Sequence, residues 1–172
     1  MLTSSFPLVS ESVSGAFVHR LVQHLPPNVQ TTVVTPSAPT SVTNTIETDG
    51  KVRKFRYAPR KLELLAHRPG GIPVALKNNR LLYLLIAPFL VSALLNCVRH
   101  AKASHLIHAN WAVNGCIAGL AGKMLKIPVV TTLRGEDVTR AKKHSADRLL
   151  LRLCLALSTR VVVVGQSMNT WI

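Results

Sequence analysis

The chain is poor in acid. Among 172 residues it carries 7 Asp and Glu against 21 Lys and Arg, a formal net charge of +14. It is also poor in aromatics, with two Trp, two Tyr and four Phe. The charge favours phosphate-rich partners in general. Few stacking side chains and no recognised binding motif nonetheless disfavour nucleic acid. Cysteine is scarce as well: Cys97, Cys116 and Cys154 form no CxxC pair. Each falls in an apolar helical pattern, so buried free thiols in a reducing compartment are expected. No His/Cys cluster has metal-ligand spacing and no DxD pair occurs, which argues against a metal site. The absence of GxGxxG disfavours dinucleotide binding, and no Ser-His-Asp order suggests a hydrolase. Met1–Pro7 has neither a charged n-region nor an apolar h-region. No signal peptide is therefore expected, and the expected location is cytoplasmic. No internal repeat is visible.

What is present is a globular composition. Hydrophobic residues make up 48% of the chain, which rules out disorder. A single domain of this length buries roughly 70% of its unfolded surface. Basic residues are spread along the chain except for two concentrations, Lys51–Lys61 and Arg140–Arg152. These read as a solvated face or as a surface for anionic lipid or a phosphorylated substrate.

The organising stretch is Ser104–Val138, SHLIHANWAVNGCIAGLAGKMLKIPVVTTLRGEDV. A short apolar run ends at His108-Ala109-Asn110-Trp111, and Asn114 can cap the helix that follows. In that helix Ile117, Leu120, Ala121 and Met124 follow the spacing of one buried face. Gly115, Gly119 and Gly122 weaken it as an isolated helix but let its backbone lie close to a sheet. Pro128 ends it, and Val129–Leu133 reads as a buried strand followed by a polar loop, Arg134-Gly135-Glu136-Asp137. This is a βαβ unit, so its strands should be parallel. HANW and RGED then sit at the carboxyl ends of their strands, the edge where open α/β sheets bind ligands.

The remaining chain reads in order as follows. Leu2–Pro7 looks like the end of a first strand that is nearly absent, since only Met1–Thr3 precede the loop. Ser12 or Ser14 can cap a helix whose apolar face is Val18, Leu21, Val22 and Leu25, stopped by Pro26-Pro27. Gly15 lies where strand turns to helix, either a simple turn or a place where backbone N–H groups approach a phosphate. Thr31–Thr35 reads as a strand, Pro36–Asp49 as a loop, and Val52–Ala58 as a strand with Phe55 and Tyr57 on one face. Arg60–Pro73 reads as a short helical turn and a loop around Gly70-Gly71. Leu81–Val98 is 18 residues without a charge. Three readings of it stand: a buried helix kinked at Pro88, a helix dipping into a membrane surface, and a spanning helix. Leu149, Leu150, Leu153 and Leu157 form a helical stripe, with Arg148 and Arg152 on the opposite side together with Lys142 and Lys143. Val161–Val164 reads as a buried strand.

LIHANW about twenty residues before TLRGEDV, with SSFP, SGAFVHRL and FRYAPR upstream in the right order, resembles the N-terminal domain of family 4 glycosyltransferases. These are retaining enzymes of the GT-B fold, and the match spans nearly the whole chain. The resemblance implies an α/β, Rossmann-like, doubly wound and mostly parallel sheet with helices on both faces. It also implies transfer of a hexosyl-type sugar from an activated, nucleotide-linked donor to an acceptor hydroxyl, without a metal. Residues 1–172 would form the acceptor-side domain, and the acceptor would be a sugar or a lipid-linked group. A nucleotide sugar would serve as co-substrate rather than a bound cofactor. The family's nucleotide-sugar site, with its paired glutamates, lies in a second domain with no counterpart here, one that another chain could supply. The domain is therefore expected to be incomplete at both ends, marginally stable and without transfer activity alone. A non-catalytic fragment or a basic membrane-surface binder on the same fold is the alternative, located peripherally at the inner face of the membrane.

Glycosyl transfer needs the leaving phosphate stabilised and the acceptor hydroxyl placed. The residues that can do this are Gly15, His108, Asn110, Trp111, Arg134, Gly135, Glu136 and Asp137. Gly15 is similar to the family's loop glycine near the donor diphosphate. His108 and Asn110 can bond sugar hydroxyls, and Trp111 can stack on a sugar or pack in the core. Arg134 can grip phosphate, and Glu136 and Asp137 can orient Arg134 or a hydroxyl. Against these stand a core histidine at His108 and helix capping by Glu136-Asp137. Many relatives carry His in place of Arg134, as TLHG, which moves Arg134 from catalysis toward phosphate or acceptor binding; no catalytic residue is assigned. The Arg60–Pro73 segment lies near the acceptor cleft in this family, which adds His67 and Arg68 as candidates.

Overall fold

A computed structural model describes residues 1–7, 15–37, 51–67 and 70–169. Ser12, Ser14, Arg68 and most of the Pro36–Asp49 segment lie outside the described residues. The chain divides into two compact units, one of Thr3–Asn96 and one of Met1–Leu2 with Cys97–Ile172.

In the Thr3–Asn96 unit, helix α1 (Ala16–Gln23) turns Val18 into the core. Strand β1 (Val33–Pro36) is buried throughout and pairs in parallel with β2 (Val52–Phe55), Val33 opposite Val52 and Pro36 opposite Phe55. Thr3 N–H donates to the Val34 carbonyl at 3.1 Å. The strand expected over Val52–Ala58 stops at Phe55, where its partner β1 ends, and the chain bends at Tyr57-Ala58, yet Phe55 and Tyr57 do share a face. Both rings meet Phe89, with centroids 5.7 and 5.1 Å away. A 3₁₀ turn (Arg60–Leu62) and helix α2 (Gly71–Asn78) follow. A second 3₁₀ turn (Arg80–Leu85) runs into helix α3 (Ile86–Ala101).

Of the three readings of this segment, the one that set a kink mid-run at Pro88 meets a helix that begins at Ile86, two residues before the proline. Pro88 falls in the first turn of α3, where its missing N–H has no helical partner to lose. Nor is the segment a buried helix all round. Phe89, Ala93, Cys97 and Ala101 are buried, while Leu81, Leu84, Val91 and Leu95 are exposed.

In the other unit, β3 (Ile107–Asn110), helix α4 (Ala112–Leu125) and β4 (Val129–Leu133) form the expected βαβ arrangement. Helices α5 (Gly135–Lys143) and α6 (Ser145–Leu157) follow, then β5 (Arg160–Val163) and the short α7 (Gln166–Asn169). The sheet order is β3-β4-β5, all parallel. Leu2, within the segment read as the end of a first strand, makes a parallel bridge to Ala109. Its N–H donates to His108 O at 2.8 Å, and its carbonyl accepts from Asn110 N–H at 3.1 Å.

The glycines of α4 perform the close approach that their spacing suggests. A Cβ added at Gly115 would lie 2.4 Å from Cys154 Sγ and 2.7 Å from Thr131 Cγ2. At Gly119 it would lie 2.4 Å from Leu157 Cβ, and at Gly122 2.4 Å from Val129 Cγ2. The helix is thus set against both β4 and α6. Its buried side differs from the expected one: Ile117 and Ala121 are buried, but Leu120 and Met124 are exposed. The small residues Gly115, Ala118, Gly119 and Gly122 face inward instead. Helix α6 differs in the same way. Leu149 and Leu153 are exposed, while Leu151 and Cys154 are buried, because Cys154 fits the notch over Gly115. A break at His144 separates Lys142 and Lys143, on α5, from Arg148 and Arg152, on α6. Strand β5 is half-exposed rather than buried, since it lies at the edge of the described sheet. The three cysteines are free. Burial pushes the Cys97 thiol up to about 11, so it stays protonated.

Candidate functional site

In the βαβ unit Asn110 lies opposite Thr132, so HANW and RGED share one carboxyl edge of the sheet. Neither is a simple loop. His108, Ala109 and Asn110 are the last residues of β3, and Gly135, Glu136 and Asp137 form the first turn of α5. Trp111 joins β3 to α4 at φ 70 and ψ 155, a rare conformation for a bulky residue. Such positions recur where surrounding structure holds the backbone for a purpose. Its N–H donates to Thr132 O at 3.0 Å. Trp111, not Asn114, therefore precedes the first turn of α4.

Asp137 ties the two segments together. Its Oδ1 accepts from Ala112 N–H at 3.0 Å and its Oδ2 from Arg134 N–H at 2.8 Å. Its own N–H donates to Arg134 O at 3.0 Å. One carboxylate thus caps the starts of both α4 and α5, which realises the capping reading of Asp137. Burial pushes its carboxyl above the usual range, opposed by those two N–H donors. Burial also lowers the Arg134 guanidinium, opposed by Asp137. Glu136 is exposed on the same turn, and a side chain added at Gly135 would meet nothing within 4 Å. The space over the start of α5 is open.

His108 hydrogen-bonds Thr132 Oγ1 through Nε2 at 2.8 Å. Burial first, and then the α-amino group of Met1, hold its imidazole below the ordinary histidine range, so it is neutral at pH 7. Asn110 is 0% exposed, and neither atom of its amide has a hydrogen-bond partner. An amide left so costs about 1–3 kcal/mol. The Asn110 carbonyl is taken by Asn114 Nδ2 at 2.7 Å. From the sequence Asn114 reads only as a helix cap, its bond to Asn110 is missed, and Thr132 is missed. The i, i+4 spacing of Asn110 and Asn114 was the available signal for the first, and Thr132 left none.

Gly15 belongs to the other unit. It takes φ 78, and a Cβ there would lie 2.5 Å from the Ser5 carbonyl oxygen. Conformation and the nearby backbone both demand glycine, with no ligand needed to explain it. In the same unit His67 Nε2–H donates to Pro36 O at 2.8 Å at a backbone φ of 61. Glu63, unremarked in the sequence, is 1% exposed, accepts from Ser37 Oγ at 2.6 Å and pairs with Arg56 Nε at 3.6 Å. A cavity of about 300 Å³ lies at the amino end of this unit's strands, beside His19, Gln23 and Lys51. Among the described residues no group of three or more His, Cys, Asp or Glu could hold a metal ion.

Parallel strands in two sheets with helices around them make this a Rossmann-like α/β fold of the GT-B class. The chain belongs to the Glycosyl transferase 4-like domain family, which it matches over residues 14–172. Its fold is similar to that of sucrose-phosphate synthase from Thermosynechococcus elongatus. The TM-score is 0.61 at 14% identity, covering 99% of this chain and 78% of that one. No curated protein matches it in sequence.

Proposed function

We propose that this domain holds the acceptor side of a glycosyl-transfer site at the carboxyl edge of β3 and β4. A nucleotide sugar is the donor and a sugar or lipid-linked hydroxyl the acceptor. The observation that carries the reading is the joining of HANW and RGED by Asp137, in a chain of the glycosyltransferase 4-like family. The unpartnered Asn110 amide supports it, since a sugar hydroxyl both donates and accepts and would offset the desolvation cost. Neutral His108, its Nε2 engaged by Thr132, orients a hydroxyl through Nδ1. Trp111 offers an aromatic face to the sugar, and Glu136 accepts from its hydroxyls. Arg134, at the start of α5, steadies phosphate, as a helix N-terminus also does. Asp137 is a positioning residue, already engaged by two backbone donors.

The Asn110 side-chain amide gives a direct readout. In ¹⁵N-resolved NMR its NH₂ pair should shift on titration with an acceptor from a panel of phosphorylated, lipid-linked and free sugars. Asn110→Ala should remove that response and weaken binding about tenfold, the loss of one buried hydrogen bond. Sugars that bind and leave the Asn110, Trp111 and Arg134 signals unmoved would sink the reading.

A further inference from the structure

The 3₁₀ turn Arg80–Leu85 and helix α3 are apolar on two opposite sides. The inward stripe, Phe89, Ala93, Cys97 and Ala101, repeats every four residues and is buried. At 100° per residue, Pro88, Val91 and Leu95 of α3 fall on the opposite side, and Leu84 stands in the 3₁₀ turn just before them. There Leu84 is 77%, Val91 57% and Leu95 64% exposed, and Leu81 extends the ridge at 73%. Exposed cations stand at both ends: Lys77 and Arg80 before it, Arg99 and Lys102 after it. From Leu64 to Gly135 the sequence contains no Asp or Glu.

We propose that this outward face docks on an anionic lipid bilayer, with α3 lying in the interface plane. An apolar ridge ended by cations and free of acid matches acyl chains below a layer of negative headgroups. The same charges disfavour a second copy of the chain, because a twofold contact would set cation against cation. Crossing the bilayer is also disfavoured, although Arg80–Ala101 is long and apolar enough by length and composition. Spanning would strip Phe89 from its packing on Phe55 and Tyr57. It would also break the hydrogen bond from Ser92 Oγ to Arg56 O at 2.6 Å. This proposal goes beyond sugar transfer and is read without any sugar, so it stands or falls separately.

The test is co-sedimentation of the full chain with vesicles of phosphatidylcholine, with and without 30% phosphatidylglycerol. Binding should need the anionic lipid and fall steeply with salt. Lys77→Gln combined with Arg80→Gln should lower the partition about 25-fold, roughly fivefold per cation. Leu84→Ser combined with Leu95→Ser should lower it at least tenfold, with an unchanged circular-dichroism melt showing that the fold is intact. Four results would overturn the proposal. These are equal binding to neutral vesicles, no binding at all, indifference to both pairs of substitutions, and retention through carbonate washing. So would a lipid-free dimer, seen by sedimentation equilibrium, that the two serines dissociate.

Discussion

Helices α3 and α4 are 16 and 14 residues long and both apolar; from the sequence α4 reads as a core helix, and burial is one of three readings of α3. They end up differently. Helix α4 is set tightly between β4 and α6, with Gly115, Gly119 and Gly122 at the contacts. Helix α3 buries one stripe and leaves Val91 and Leu95 in water, as the 3₁₀ turn before it leaves Leu84. Apolar content therefore does not assign burial. Small residues at three- and four-residue spacing let a backbone come close and be covered; Leu and Val on every side can be covered only where a partner surface exists.

The largest expected effect tests the close approach. Gly115→Ala should gain about 1 kcal/mol of helix propensity, yet lose more to the clash with Cys154 and Thr131. Both neighbours are fully buried and cannot move aside at low cost. A net loss of about 3 kcal/mol in urea unfolding is expected, and Cys154→Ala in the same chain should recover part of it. A neutral Gly115→Ala would break the comparison, because α4 would then owe its burial to something other than its glycines.

Next in size is the joint that starts α4 and has no counterpart on α3. Removing both acceptors with Asp137→Ala should cost about 2 kcal/mol, the upper range for a helix cap. Asp137→Asn keeps one oxygen and removes a carboxylate whose ionisation burial opposes. Its cost in the same unfolding assay should be less than half as large. Equal losses would mean that the charge, rather than the acceptor geometry, holds the two helix starts.

Much of the βαβ unit was legible because three signals agreed there: a run of β-branched residues, a glycine-laced helix, and Pro128 between them. Strand β4 has the predicted bounds, and the shared edge of HANW and RGED follows from parallel pairing alone. The helix faces were not legible. In α6 the run Leu149–Leu151 and Leu153–Leu157 is apolar on every side, and the notch at Gly115 takes Cys154 as an inner residue. The capping role of Asp137 was visible as one of two readings, whereas its bond to Ala112, 25 residues earlier, leaves no local trace. Pro88 misled because a proline in an apolar run signals either a kink or a start, and the 3₁₀ turn before it decides for the start.

A smaller effect separates the two units by pH. Burial lowers His67 in the Thr3–Asn96 unit and His108 beside α4. The unfolded chain then binds more protons than the folded one between each lowered value and the ordinary 6.5. Stability therefore rises with pH through that window and is lost on acidification, by at most about 1.4 kcal/mol per pH unit for each histidine. The α-amino group of Met1, pushed by burial from 8.0 to about 6, adds a slope of the same sign between those values. Urea midpoints from pH 5 to 6.5 should fall toward acid. His108→Gln should flatten part of that fall and leave the part due to His67. A flat wild-type profile would show that neither imidazole is held neutral by its surroundings.

The smallest expected effect is on the outward face of α3. Leu84→Ser and Leu95→Ser remove side chains that water already reaches, so no transfer free energy from the core is lost. What remains is the lower helix propensity of serine, about 0.3 kcal/mol at Leu95, and little at Leu84, which precedes the α-helix. The pair should thus change stability by no more than about 0.5 kcal/mol, as surface substitutions do. Differential scanning of the lipid-free chain, with its urea midpoint, measures this directly. The outcome decides what the exposed ridge is. If the loss exceeds about 1.5 kcal/mol, the ridge is covered within the folded chain and α3 resembles α4 after all. If stability is unchanged, those leucines contribute nothing to the fold, and the difference between the two helices is that one is filled by its own domain while the other presents an apolar surface outward.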